Sequence, residues 1–392
     1  MEQAAFRDPN GGLAQVQIDR IQGYALSVRP PVGPVSSLGT MPVRNGVLIA
    51  ITSSDGVTGW GEIWCNFPPR GGVARLNLMQ DVIGPLLLGM TFQNFAAVRP
   101  RLEHDLARMM IHTGEYGPFT HCLAGIDTAL ADLVARRAGV PLSQLFHAAP
   151  LASVPVYAST PNVSDLQAAI GQVIDDGHRG VKLKLGNGME ADTILLSNFA
   201  KASEGKLSVC ADANQNWTLD EAIAMCDALS DHKLMFMEEP MRADSPMRDW
   251  ARLAGATTIP LAGGENITSL QHFTAFMDDG KLRVIQPDVA KWGGVSGAVE
   301  IAQKAADRNV TCAMHYMGTG LGLAASLHCL AAIAGSGPME LDANPNPLRT
   351  DLGAIDLTVT AGQVAVPSGP GHGFVPDPSA LKSLTDAAMD LS

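Results

Sequence analysis

Charge is scarce in this chain. Only 17% of its 392 residues are Asp, Glu, Lys or Arg, and acids outnumber bases to leave a net charge of −12. With no basic clusters, a nucleic-acid or other polyanion partner is not expected, because phosphate binding draws its affinity from grouped Lys and Arg. CxxC pairs are lacking too. The six cysteines (Cys65, Cys122, Cys210, Cys226, Cys312 and Cys329) are widely spaced, which fits neither a zinc knuckle nor a disulfide framework and points to a reducing compartment. The most apolar stretch, 319–334, is too short to span a bilayer and is broken by Gly320, Gly322, Ser326 and His328. The opening MEQAAFRDPNGG has no basic segment followed by an apolar core, so no signal peptide is expected. These absences describe a cytoplasmic protein with no membrane partner. A chain of this length buries a sizeable core without cross-links.

Two textures divide what is present. Residues 18–64 read as strands and turns, with Asp55-Gly56 between apolar runs marking a hairpin. From about Phe92 to Phe146 the pattern is helical. In CLAGIDTALADLVARRAG, Ile126, Leu130, Leu133 and Val134 recur at helix spacing and Gly139 ends the run. After Ala152, eight short apolar runs alternate with helical stretches: VPVYA, VKLKL, LSVCADA, LMFMEEP, IPLAGGE, RVIQPD, VTCAMH and PMELD. Their centres (156, 183, 209, 236, 261, 285, 312 and 339) stand 24 to 27 positions apart. Eight βα units at that spacing predict an α/β fold, a (β/α)8 TIM-type barrel. After Arg349 the chain turns Gly/Pro-rich and is expected to return to the first module. The domains expected are an N-terminal α+β capping domain over 1–148, the barrel over 149–350, and a C-terminal segment, 351–392, completing the cap. Residues 30–42 and 65–73 read as mobile loops.

A barrel keeps its active site at the C-terminal ends of its strands. Those ends carry Lys182 and Lys184, Asp212 and Asn214, Glu238 and Glu239, Glu265, Asp288, His315, and Glu340 with Asp342: seven consecutive runs with ionisable side chains. Side chains two apart on a strand share a face, so Lys182 pairs with Lys184. Two ammonium groups held together repel, which lowers the pKa of one and suits it to act as a base. Asp212, Glu238 and Glu265 come from three successive strands; converging carboxylates call for a hard cation, and oxygen-only ligands favour Mg²⁺ over zinc. Glu239 reads as a hydrogen-bonding residue facing away from Glu238. Asp288, accepting from one nitrogen of His315, fixes the tautomer and frees the other nitrogen for proton transfer. An amine on one side of a metal-bound acid and an imidazole on the other suits proton removal next to a carboxylate. Glu340, if protonated, can donate to the second enolate oxygen.

The motifs VKLKLG, DANQ, MEEP, GEN, PDVAKWGG, AMHYMG and MELD together resemble the enolase superfamily, in particular its mandelate racemase/muconate lactonizing enzyme group, over nearly the whole chain. The resemblance implies one Mg²⁺ per subunit on Asp212, Glu238 and Glu265. It implies Lys184 as one acid/base, with Lys182 on the substrate carboxylate. His315 with Asp288 becomes the opposite acid/base, Glu340 the electrophilic donor, and Asn214 a contact to metal or substrate hydroxyl. The dyad places the chain nearer mandelate racemase than the cycloisomerases and dipeptide epimerases that use a second lysine where Lys291 stands. Loops 30–42 and 65–73 would then close over the substrate, with Arg44 and Arg70 the nearby cations. The implied partner is a small carboxylate, and a homo-oligomer is expected.

The expected reaction is dehydration of a sugar acid, with racemisation or epimerisation of a 2-hydroxy acid as the alternative outcome of the same enolate. Three other readings stay open on sequence. Lys184 can form a Schiff base with a carbonyl substrate. The run Gly318-Thr-Gly320-Leu-Gly322 follows the seventh strand, where barrels often hold phosphate, but it lacks GxGxxG spacing and more simply lets a helix pack closely. A non-catalytic binding or structural descendant is the third.

Overall fold

The computed structural model describes residues 7, 15–31, 33, 35–36, 39–68, 70–161, 165–333 and 337–392. The cap is built on three antiparallel strands, β1 (Val16–Val28), β2 (Arg44–Ser53) and β3 (Thr58–Ile63). The expected hairpin at Asp55-Gly56 closes with Ser53 N donating 2.9 Å to Val57 O. Its Gly56 has φ +86°, a conformation other residues rarely adopt. Helices α1 (Gly71–Leu78), α2 (Val98–Thr113) and α3 (Tyr116–Ala138) complete this module, and Gly139 ends α3 at φ 70° as its position predicted. Helix α3 lies directly against β3 because Gly59 and Gly61 carry no side chain there; a Cβ on Gly61 would meet Gly125 O at 2.0 Å.

The barrel strands are β4 (Ser153–Ser159), β5 (Gly180–Lys184), β6 (Ser208–Asp212), β7 (Met237–Glu238), β8 (Leu261–Gly263), β9 (Val284–Ile285), β10 (Thr311–Cys312) and β11 (Met339–Asp342). Each coincides with one of the eight anticipated runs, with β4 reaching one residue past its run at both ends and β5 starting one residue before its own. They are parallel, neighbours in chain order, and β11 comes round to pair with β4. Gly337 N to Cys312 O (2.7 Å) and Glu340 N to Met314 O (3.2 Å) join β10 to β11 and close the ring. Helices α4 (Leu166–Asp175), α5 (Met189–Ser203), α6 (Leu219–Ala228), α7 (Met247–Ala256), α8 (Leu270–Asp278), α9 (Gly294–Ala306) and α10 (Gly320–Ala331) alternate with the strands. Several ladders are shorter than their apolar runs because the backbone turns where the side chains of interest begin: Asn214 at φ 46°, Glu239 at φ 40°, Gly264 at φ 155°.

The C-terminal segment does more than was expected of it. Before reaching the cap it lays down β12 (Gln363–Ala365) antiparallel to the first residues of β4, and only then β13 (Thr385–Leu391) beside β1. The reason is an open edge: β5 pairs only with Ala158 and Ser159, leaving the start of β4 to be covered. Of the expected loops, residues 32, 34, 37–38 and 69 lie outside the described residues. Within 30–42, Val35–Ser36 pairs with Gly39–Thr40, and the 65–73 loop ends early because α1 begins at Gly71. Among the described residues no helix is long and apolar enough to cross a membrane.

Candidate active site

Strand alternation sends Lys182 and Lys184 out of β5 on one side, and both reach the same Asp212 oxygen, Lys182 at 3.5 Å and Lys184 in direct contact. Asp212 stands level with Lys184 on one side and with Glu238 on the other. Lys182 Nζ donates to both Glu238 oxygens (3.0 and 2.9 Å) and lies 2.6 Å from Glu340 Oε1. Further round the mouth, Glu265 Oε2 is 2.7 Å from His315 Nε2 and accepts from Lys291 Nζ at 3.1 Å. His315 Nδ1 is 2.8 Å from Asp288 Oδ2, and Asp288 Oδ1 accepts from Ala290 N at 2.8 Å. Glu340 accepts from Ser159 Oγ at 2.5 Å and from Tyr316 N at 3.2 Å. The residues singled out on seven separate strand ends thus form one network, joined by Ser159 from β4.

Their charges set one another. Burial alone would lower the Lys182 pKa, but Glu238 and Glu340 hold it well above the ordinary lysine value. Repulsion between the two lysines was expected to lower one of them; Lys182 is not that one, because the surrounding acids hold it up. Burial raises the Glu340 pKa and Lys182 and His315 lower it, with a net fall. Glu340 is therefore an ionised acceptor in this arrangement, and a donor role requires that it first take a proton. Glu239 accepts from Asn266 Nδ2 at 2.9 and 3.1 Å, and Asn266 also bonds Glu265 at 3.0 Å. Glu239 also feels the neighbouring acids: burial first, then Glu265 and Asp212, push it up to about 8. Burial and Asp212 likewise push Glu238 up to about 7.

As placed, the three proposed ligands do not converge. Among the described residues no three of His, Cys, Asp and Glu stand close enough to hold one metal ion; Asp212 is turned onto Lys184, Glu238 onto Lys182, and Glu265 onto Lys291 and His315. The donor set nonetheless suits a hard divalent cation. It is oxygen-only, two of its acids stand on register-matched strands, and the acid group is short of positive charge. Beside it Asn214, whose Nδ2 donates to Asp212 at 3.2 Å, keeps a buried Oδ1 with no partner. The residues present fit Mg²⁺ chemically.

Two family models account for most of the chain: the mandelate racemase/muconate lactonizing enzyme N-terminal domain over residues 20–146 and the enolase C-terminal domain-like model over 165–380. The chain belongs to the enolase superfamily. It is an enzyme of the mandelate racemase/muconate lactonizing enzyme family. Among its relatives, D-galactarolactone cycloisomerase from Agrobacterium fabrum (strain C58 / ATCC 33970) is 29% identical, the match covering 84% of this chain and 89% of that protein. Arabinonate dehydratase from Saccharolobus solfataricus is 26% identical over 84% of this chain and 87% of that one. A solved mandelate racemase/muconate lactonizing enzyme from Bordetella bronchiseptica RB50 is 38% identical with a TM-score of 0.87, covering 95% of this chain and 100% of that chain. A racemase from Streptomyces coelicolor A3(2), solved with bound magnesium, is 27% identical with a TM-score of 0.83, covering 94% and 99%.

The structure also brings in residues that sequence reasoning passed over. Glu62 on β3, buried, accepts from Tyr316 Oη, from Thr319 N (3.0 Å) and Oγ1 (2.5 Å), and from Gly322 N (3.2 Å). In this superfamily member the Gly318–Gly322 run therefore binds a carboxylate of its own cap at the start of α10, not a phosphate. The signal was an acid in an otherwise apolar strand, GWGEI. Lys291 lies 4.7 Å over the ring of Trp64, and Arg75 packs at 5.9 Å from the same ring, so a cap aromatic steadies the third lysine. Gln286 donates to Glu238 at 2.7 Å and holds its orientation.

Proposed function

We propose that this enzyme removes the α-proton of a hydroxy-carboxylate with the help of one Mg²⁺ held by Asp212, Glu238 and Glu265, and that the outcome is dehydration of a sugar acid. The observation that carries this reading is the arrangement of the acid group between two proton-handling side chains, Lys184 on Asp212 and the His315–Asp288 dyad beside Glu265. Bound Mg²⁺ supplies charge neutralisation at the substrate carboxylate as the enolate forms, worth several kcal/mol. Lys182, held cationic, orients that carboxylate. Lys184 Nζ takes the α-proton. His315 Nε2, with its tautomer fixed by Asp288, delivers a proton to the departing 3-hydroxyl. Asn214 Oδ1 is free to meet a metal or a substrate hydroxyl. The relatives named above include a dehydratase of a sugar acid, which supports this outcome by analogy.

The same pair of groups favours a second reading. If His315 returns its proton to the α-carbon and not to the 3-hydroxyl, the product is the epimer. Incubating the enzyme with a library of sugar acids and 2-hydroxy acids in D₂O, with and without Mg²⁺, separates the outcomes. Mg²⁺-dependent formation of a 2-keto-3-deoxy acid is expected, with solvent deuterium at C3, where the enol takes up a proton as it ketonises. Uptake with an inverted α-carbon selects the second reading, and no uptake from any acid overturns both. The working division remains 1–148, 149–350 and 351–392, and a cytoplasmic homo-oligomer acting on a small carboxylate completes the proposal.

A further inference from the structure

Arg44, the first residue of β2, turns its guanidinium out of the cap onto the barrel mouth. A Cβ on Gly46 would lie 2.9 Å from Thr319, and Leu48 packs with Leu321 and Leu348, so alternation along β2 puts Arg44 on the barrel-facing side too. Arg44 Nη2 donates 2.5 Å to Asp342 Oδ2. Asp342 is two residues beyond Glu340 on β11, so its side chain leaves the strand on the side of the ionic network, one layer nearer the cap. Arg44 is thereby a roof residue of the mouth.

Its guanidinium is only 2% exposed, yet among the described residues nothing accepts from Nε or Nη1. Buried donors almost always have a partner, and an exception in a functional mouth points to what the mouth receives. The loop after β11 repeats the signal with the opposite sign. Asn346, 3% exposed, donates from Nδ2 to Gly318 O at 2.8 Å, while its Oδ1 has no partner. Asn344 is fully used, on Asp342 and on Thr160 O, and Arg349 is spent on the Asp342 and Asn344 carbonyls.

We propose that Arg44 binds the oxygens of a polyhydroxylated tail on the acid substrate, with Asn346 accepting from a tail hydroxyl, so that this corner of the mouth selects sugar acids over acids with short or apolar tails. The proposal rests on the function argued above and names the substrate class of that same site. Asp342 already neutralises Arg44, so its unpartnered N–H groups suit neutral oxygens better than a second carboxylate. A hydroxyl both accepts and donates, which matches donor N–H groups on Arg44 and an acceptor oxygen on Asn346.

The discriminating variant is Arg44→Lys, which keeps a cation against Asp342 but loses the planar fork. Wild type and variant are compared in the D₂O exchange assay with D-gluconate and D-arabinonate as polyhydroxylated acids, galactarate as a diacid, glycerate as an acid with no carbon beyond C3, and mandelate as an acid with an apolar tail. Wild type is expected to prefer an aldonate. In Arg44→Lys the KM for that aldonate is expected to rise about tenfold or more, the loss of a hydrogen bond to a charged group. Its kcat changes less, glycerate handling is unchanged, and so is Tm. A wild-type preference for galactarate, glycerate or mandelate overturns the proposal, as does an equal KM increase for glycerate, or a fall in Tm with KM unmoved, which marks a merely structural ion pair. If no acid exchanges, the reading of the reaction fails instead, and calorimetric titration of both proteins with D-gluconate judges the subsite alone. Binding weakened in Arg44→Lys sustains it, and absence of binding to wild type ends it. A crystal structure with an aldonate bound in which ordered water, not the acid, occupies Arg44 Nε and Nη1 also ends it.

Discussion

Burial strips water from His315 and by itself would push its pKa down. Glu265, 2.7 Å from Nε2, and Glu340 reverse that, and Asp288 on Nδ1 adds to the rise, so the imidazole sits well above its ordinary value. His315 is thus held toward its charged form, the state that the proposed protonation of a leaving hydroxyl requires. A histidine with a raised folded pKa stabilises the protein fully below about pH 6.5, its unfolded value, and loses that contribution as pH climbs through the folded one. Asp288→Asn tests the dyad. The amide weakens the acceptor at Nδ1, frees the tautomer, and removes one source of the raised pKa. Turnover is expected to fall about 10² to 10⁴-fold, with KM little changed and the basic limb of the kcat profile moved to lower pH. Steady-state kinetics across pH on the best acid of the library checks it; an unchanged profile would show that Asp288 merely fills space.

At the scale of elements, the join between β3 and α10 shows how the cap is locked to the strand ends at the barrel mouth. Glu62 occupies the start of α10, where unpaired N–H groups and the helix dipole favour an anion, and its bond to Tyr316 reaches the residue after His315. Glu62→Gln replaces one acceptor oxygen by a donor facing N–H or O–H groups. A loss of roughly 3 kcal/mol is expected from breaking charged hydrogen bonds in a buried place, lowering Tm by several degrees in a thermal melt and also cutting kcat through Tyr316. A Tm that does not move would mean the carboxylate is replaceable there. This join also marks the limit of legibility. The eight strands could be read because each is a local apolar run at even spacing, and the strand-end acids, lysines and His315 because chemistry and the barrel rule pick them out. Glu62 lies 254 positions from Tyr316 and Arg44 298 from Asp342, so neither partnership leaves a local pattern. The state of Lys182 was hidden for the same reason: four neighbours on different strands set it, and its lysine neighbour does not.

For the whole molecule, the excess of acid at the mouth ties stability to pH and to metal. Glu238 is pushed up to about 7 and Glu239 to about 8, in each case by burial first and neighbouring acids second. A carboxyl whose folded pKa is raised binds its proton more tightly in the folded state. The stability this gives is complete below the ordinary value of 4.5 and drains away as pH rises through about 7 and 8. The metal-free protein is therefore expected to melt at progressively lower temperature from pH 5 to pH 8.5. A dication that replaces those protons works in the opposite sense, because ligands must be deprotonated to bind it. At 100 times its Kd, a ligand specific for the folded state adds about 2.7 kcal/mol, so Mg²⁺ is expected to raise Tm by several degrees at pH 8.5 and by little at pH 5. Cap and barrel share the C-terminal segment through β12 and β13, so the metal bound at the mouth is expected to move one transition and not split it. Calorimetric scans with EDTA and with excess Mg²⁺ at both pH values check this. A Tm increase of the same size at both would disconnect the raised carboxyls from the metal, and no increase at either would remove the metal from this site.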